Sequence, residues 1–256
     1  MMPDDAGNDL LKEKRQAIQE EEYLLPYHYK DVFAPGQSIE RNSIFSFIVE
    51  TFRRAGKGHV IDVGCGDGRF CFFAKDYLGV EGLDISERAL EWARAFNPEV
   101  AFHNKRIEDL NLRGVFDGAV SLEVLEHIPD DDMPAFIKGI RSVVTDDAVV
   151  IFTVPSVRKP LEEKHFRHYT EITLRETLGP FFGEVAITGH SRVTVVHGKI
   201  FSVMNILSLI CYSDRFCWKY PRAVGIISRA KERYWRRHLQ EGPPEACRRL
   251  IAICRP

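Results

Sequence analysis

Residues Val60 to Phe70 read VIDVGCGDGRF, a short apolar run containing Asp62, then glycines at 64, 66 and 68, then a segment of helical character. Glycine permits a tight turn and removes the β-carbon that would hold a ligand at a distance. A turn of this kind between a strand and a helix is where doubly wound α/β folds bind nucleotide-like ligands. The dinucleotide pattern, Gly-x-Gly-x-x-Gly, sets a pyrophosphate on the helix N-terminus. Here the third glycine comes one position early, and Asp62 stands just ahead of the turn, where its charge repels phosphate. The arrangement suits a cationic ligand with an α-amino group.

Working outward, HVIDVG, VEGLDI, VAFHNK, FDGAVSL and AVVIFTV read as strands. Between them RFCFFAKDYL, SERALEWARAF and DDMPAFIKGIRSVV read as helices, with Ser86 placed to cap the second. TEITLRETL, preceded by the cap Thr170, is a further helix; GEVAITGH and the terminal RRLIAIC are the last strands. Strand and helix alternating at these lengths imply an α/β fold: a doubly wound, Rossmann-like, seven-stranded sheet with a mainly helical insert before the last strand. The expected divisions are an N-terminal helical lid segment at 1–57, a ligand-binding domain at 58–190 plus 247–256, and a helical insert or substrate lid at 191–246.

The 256 residues are 45% hydrophobic and 28% charged, with a formal net charge of −2. That balance speaks against chain-wide disorder and against a DNA partner, and leaves RNA disfavoured. The six cysteines form no Cys-x-x-Cys pair, which fits a reducing compartment and neither zinc nor a disulfide framework. The first residues lack a basic segment followed by an apolar core, and KIFSVMNILSLICY is too short and interrupted to span a bilayer. A soluble cytoplasmic protein is expected. Its insert, with Trp218, Tyr220 and Trp235 among many bases, suits either peripheral contact with an anionic membrane or a lid over a bulky acceptor.

Two further acids extend the ligand site. Asp84 ends the second strand, where a carboxylate can accept two hydrogen bonds from a ribose diol. Asp109, in RIEDL after the third strand, can accept from an adenine amine. Adenine, ribose and an amino-acid tail without a phosphate cradle describe S-adenosylmethionine. With VIDVGCGDG, GLDIS, RIEDL and FDGAVSLEVLEHIPD in this order, the chain resembles a class I S-adenosylmethionine-dependent methyltransferase from Gly58 to about Gly189, plus the terminal strand. Carried over residue by residue, the resemblance implies that Asp62, Gly64, Cys65, Gly66 and Gly68 hold the amino-acid portion. Asp84 and Ile85 bracket the ribose, Glu108 and Asp109 flank the adenine, and Leu122 with Glu123 closes the site. Cys65 contributes small size rather than a nucleophile.

Methyl transfer asks the protein to align an acceptor and, for a hydroxyl, to remove a proton. His127 is the first choice as base, because an ordinary imidazole titrates near neutrality, and His165 in KHFRHYT is the second. His168 reads as structural. Glu123-x-x-Glu126-His127 also resembles a metal cluster of quinone-biosynthesis O-methyltransferases and of small-RNA 2′-O-methyltransferases; our reading takes no metal. In the aromatic stretch before the first strand, Tyr27, His28, Tyr29 and Arg41 are candidate pocket residues. The expected function is O-methylation of a small-molecule, lipid-linked or glycan acceptor. The alternatives are a 2′-O-methyltransferase on RNA 3′ ends and a catalytically silent cofactor-binding interaction protein.

Overall fold

The computed structural model of the chain describes residues 3–31, 39–211 and 221–256. Near-continuous apolar runs form strands buried on both faces, and these make the centre of the sheet: β1 (His59–Val63), β4 (Phe116–Leu122) and β5 (Val144–Pro155). β2 (Gly79–Asp84) and β3 (Phe102–Asn104) extend it on one side. On the other side lie β6 (Glu184–Arg192), β7 (Glu241–Gly242) and β8 (Cys247–Arg255). The order is β3-β2-β1-β4-β5-β8-β6-β7. The first five strands pair in parallel, and β8 runs antiparallel between β5 and β6.

The sheet is therefore mixed and has eight strands among the described residues, one more than expected. The addition is the two-residue β7, which leaves the insert to pair with Gly189 and His190 at the sheet's edge. Strand order reverses between β1 and β4, which opens a crevice beyond their carboxyl ends.

Helices cover both faces. α2 (Ile39–Arg54), α3 (Arg69–Ala74) and α4 (Glu87–Phe96) pack on one side, where Ile48, Phe52 and Leu90 are fully buried. α5 (Met133–Val143) and α6 (Glu171–Leu178) cover the other, around Phe116, Ile137 and Phe152. Ser86 caps α4 by accepting from Ala89 N at 3.1 Å, and Thr170 forms a reciprocal cap with Thr173 on α6, as the sequence implies.

α1 (Pro3–Glu22) lies outside these layers, across the crevice. The insert is a pair of helices, α7 (Val195–Cys211) and α8 (Pro221–His238), packed on each other. Trp235 is buried at their junction, 5.1 Å from the Phe201 ring, so it is a core residue rather than a membrane-facing one. Trp218 and Tyr220 lie outside the described residues. Among those described, no helix is long and apolar enough to cross a membrane.

Candidate functional site

A cleft of about 700 Å³ opens at the carboxyl ends of β1, β2, β4 and β5. The turn after β1 gives it its floor. Gly64, Gly66 and Gly68 have φ of +80°, +54° and +75°, a region that side chains with a β-carbon avoid. A β-carbon would also collide with the protein itself: with Val124 at 2.5 Å from Gly64, the Tyr23 hydroxyl at 2.7 Å from Gly66, and Ala93 at 2.9 Å from Gly68. Handedness and close packing therefore demand these glycines before any ligand arrives. Gly68 is not in the cleft lining; its carbonyl accepts from the Tyr29 hydroxyl at 3.3 Å, and it lets α3 approach α4. Its visible role in the fold is packing.

Asp62 lies beneath the turn, 2% exposed. One carboxylate oxygen accepts from the Cys71 thiol at 3.6 Å, and Oδ1 has no partner. Burial, with the charge of Asp84 adding, pushes its pKa up to about 8. A buried orphan oxygen facing a cleft asks for a donor, and an ammonium is the donor that also restores the charge. Asp84 behaves differently. It accepts from Gly66 N at 2.8 Å and from Ser86 N at 2.9 Å, so it braces the glycine turn and the start of α4 while lining the cleft. Each oxygen keeps a lone pair for a ligand. Burial raises the Cys65 thiol well above its usual range, which agrees with a packing role.

Ile85, Glu108, Leu122 and Glu123 line the cleft as expected; Asp109 does not. The single 3₁₀ turn Ile107–Asp109 turns Ile107 into the core and leaves Asp109 exposed beyond the lining. Tyr27, His28 and Arg41 line the cleft, whereas Tyr29 is 1% exposed and stacks on Phe96 at 4.1 Å. Asp67, which sequence reasoning missed, accepts both the backbone N–H of His28 at 3.1 Å and its ring Nδ1–H at 3.0 Å, clipping this segment to the glycine turn.

α1 closes the mouth. Lys12 pairs with Asp132, Lys14 with Glu163 at 2.7 Å, and Glu22 with Lys164 at 2.6 Å; Arg15 lies 4.1 Å from the Phe166 ring centroid. No described residue of 193–246 lines the cleft. Among the described residues, the segment lying over the site is α1 with Tyr23–His28. The insert instead docks on α2 through α8.

At the far end of the cleft the loop after β5 is stitched to the turn Leu125–His127. Phe166 N donates to the Glu126 carbonyl at 2.7 Å, Arg167 to the Ile128 carbonyl at 2.7 Å, and the Tyr169 hydroxyl to the Leu125 carbonyl at 3.3 Å. These bonds bring His165 edge-on to His127, with ring centroids 4.6 Å apart and planes at 89°. The ligating atoms of Glu126, His127 and His165 all lie within 4.8 Å of one another, so these three could hold a cation. Burial drives both imidazoles down, to about 3 for His127 and about 4 for His165, so the near-neutral titration expected of His127 does not hold. Burial, with the charge of Glu123 adding, pushes Glu126 well up, and its Oε2 has no partner.

Glu123 is turned away from this group. Arg249 grips it with two hydrogen bonds, 3.0 and 3.1 Å, and a third bond of 3.0 Å joins Arg249 to Glu40. Burial would raise Glu123, but Arg249 and Lys159 outweigh it and hold the carboxylate below its usual range. The strained φ of +58° at Glu123 aims it there. Of the three residues in the Glu-x-x-Glu-His pattern, Glu126 and His127 group with His165, and Glu123 does not.

A methyltransferase-domain family model matches residues 37–189. The ubiquinone biosynthesis O-methyltransferase of Chromobacterium violaceum is 30% identical over 106 residues, covering 39% of this chain and 44% of that protein. The sphingolipid C9-methyltransferase of Candida albicans is 25% identical over 114 residues, covering 40% and 22%. The chain thus spans less than half the length of these curated relatives. A crystal structure of an S-adenosylmethionine-dependent methyltransferase from Archaeoglobus fulgidus superposes with a TM-score of 0.53 at 16% identity, covering 83% of this chain and 94% of that one; it shares the fold.

Proposed function

The chain belongs to the methyltransferase-domain family and carries an S-adenosylmethionine-dependent methyltransferase domain, and from that premise we propose that it methylates an acidic hydroxyl on a small or lipid-linked acceptor. The observation that carries this reading is a single cleft with an orphan buried carboxylate oxygen at one end and two neutral imidazoles at the other. Asp62 fits the ammonium of the cofactor's amino-acid tail, Asp84 its ribose and Glu108 its adenine. When bound, the cofactor supplies a methyl group on a sulfonium, so the protein's tasks are alignment and proton removal.

His127 and His165 are in the form that can accept a proton at every pH above about 4. They are also weak bases. Full transfer from a phenol-like hydroxyl of pKa about 10 to a base near 4 is uphill by about 8 kcal/mol, at about 1.36 kcal/mol per unit. From an alcohol near the pKa of water, about 16, the cost is about 16 kcal/mol. The weaker demand selects the more acidic hydroxyl.

The lipid-linked version is supported by the insert. α7 exposes Val196, Ile200, Val203 and Ile206 on one stripe, and α8 exposes Arg229, Arg233, Arg236 and Arg237 around Ile226. An apolar stripe beside a basic one suits an anionic lipid–water interface. Intact cofactor residues beside two candidate bases argue against a silent protein, and the diversion of Glu123 to Arg249 argues against the RNA reading. Turnover of labelled cofactor against separate phenolic, lipid and RNA extracts tests the proposal. Transfer to RNA alone, or none to any extract, would refute it.

A further inference from the structure

We propose that His168 is a positioning residue, which holds His165 in the tautomer protonated on Nδ1 and so leaves Nε2 as the free acceptor atom of the cleft. The tautomer follows from three groups in a row. His168 Nδ1 lies 3.2 Å from the Lys159 carbonyl oxygen. A carbonyl can only accept, so that nitrogen carries the proton, and in the neutral ring His168 Nε2 is then an acceptor. His165 Nδ1 lies 2.8 Å from that Nε2 and must donate to it. The second nitrogen of His165 is left with its lone pair.

Among the described residues, no carboxylate forms a hydrogen bond with His165 Nε2. The carboxylate closest to His165 Nε2 is Glu162, at 3.9 Å, beyond hydrogen-bond reach. Glu126 Oε2, buried at this end of the cleft, has no hydrogen-bond partner in the fold.

The anchor of the row is fixed as well. Lys159 N donates to the Ser156 carbonyl at 2.9 Å, Ser156 N donates to the Arg248 carbonyl at 2.9 Å on β8, and Val157 N donates to the Tyr169 carbonyl at 3.1 Å. The two ends of the loop are thus tied together and to the sheet, with both histidines inside it. His165 lines the cleft and His168 does not, so His168 acts through its neighbour. When His165 Nε2 takes up a proton, its Nδ1–H bond to His168 becomes charge-assisted, which stabilises the imidazolium at the moment it forms. The catalytic consequence rests on His165 acting as the base; the tautomer does not.

Nitrogen-15 NMR of the full chain, labelled at histidine, tests the assignment without acceptor or cofactor. The wild type should show His165 protonated on Nδ1. His168→Gln should preserve that state, because one amide can both donate to the Lys159 carbonyl and accept from His165. His168→Phe should release it, and should lower kcat roughly 10- to 100-fold while leaving the KM for the cofactor unchanged. His165 protonated on Nε2 in the wild type, or unchanged in His168→Phe, would overturn the proposal, as would a tautomer switch that leaves kcat intact. The wild-type spectrum decides the tautomer even should His168→Phe not fold. A separate His165→Ala variant with undiminished transfer would refute the base reading while the spectrum still stood.

Discussion

Replacing Asp62 with asparagine removes a buried acid that the free protein must keep protonated at a cost at pH 7, and the cost can be worked from the site. The carboxyl is 2% exposed, Oδ1 is unpartnered, and burial has moved its pKa from 3.8 to about 8. In the unfolded chain the group ionises near 3.8; in the folded one it stays protonated up to about 8. Its contribution is complete below the lower value and is lost as pH rises through the upper one. At pH 7 the difference, 7 minus 3.8 or 3.2 units, sets a ceiling of about 4 kcal/mol on the destabilisation. Asp62→Asn should therefore raise the melting temperature of the ligand-free protein at pH 7, by up to roughly 8–16 °C for a chain of this size. The gain should shrink towards zero near pH 4. The same variant should lose most of its affinity for S-adenosylmethionine. In the wild type that affinity should climb about tenfold per pH unit up to about 8, because the ammonium needs the ionised carboxylate. Scanning calorimetry across pH, with and without cofactor, reads both effects. An Asp62→Asn protein that melts below wild type at pH 7, or that binds the cofactor undiminished, would show that Asp62 is a structural acid and not the receptor for the amino group.

At saturating cofactor, methyl transfer should be flat from pH 5 to 8 and fall only towards pH 4, since the imidazoles titrate near 3 and 4; an acid limb centred near 6.5 in the pH–rate profile would contradict the burial of both rings. Exhaustive chelation should leave transfer intact, and loss of activity restored by a divalent ion would assign Glu126, His127 and His165 to a metal. Arg249→Met should destabilise the fold by roughly 2–3 kcal/mol, because Glu123 and Glu40 lose charge-assisted bonds; a denaturant midpoint unchanged from wild type would count against the network. Flotation with vesicles rich in anionic lipid should carry the protein at low salt and release it at high salt. Equal recovery with neutral vesicles, or none with either, would remove the membrane from the proposed function.

What the sequence disclosed, and what it did not, divides by the range of the interaction. The glycine turn, the acid ahead of it, Ser86 and Thr170 act on backbone groups a few residues away, so their meaning survives in a linear reading. The parallel strands followed from the alternation of apolar runs with amphipathic helices, although two-residue β7 carries too little pattern to be seen. Less legible are the interactions made by side chains far apart in the chain. Glu123 lines the cleft, yet its carboxylate is gripped by Arg249, 126 residues later, which no local pattern announces. Asp67 carried no signal of its own, because its partner His28 sits 39 residues upstream and nothing in the linear sequence pairs the two. The insert's aromatics and bases suit a lid, a membrane contact or a buried seam alike, and in the fold Trp235 is buried against Phe201. His168 shows the same limit from the other side. Three residues from His165, it could be seen in the sequence, but its effect depends on which atom faces the Lys159 carbonyl, and only the folded loop decides that. A proton's place on an imidazole is set by whichever neighbour can accept it, and in this site that neighbour is a main-chain oxygen that no side-chain pattern announces.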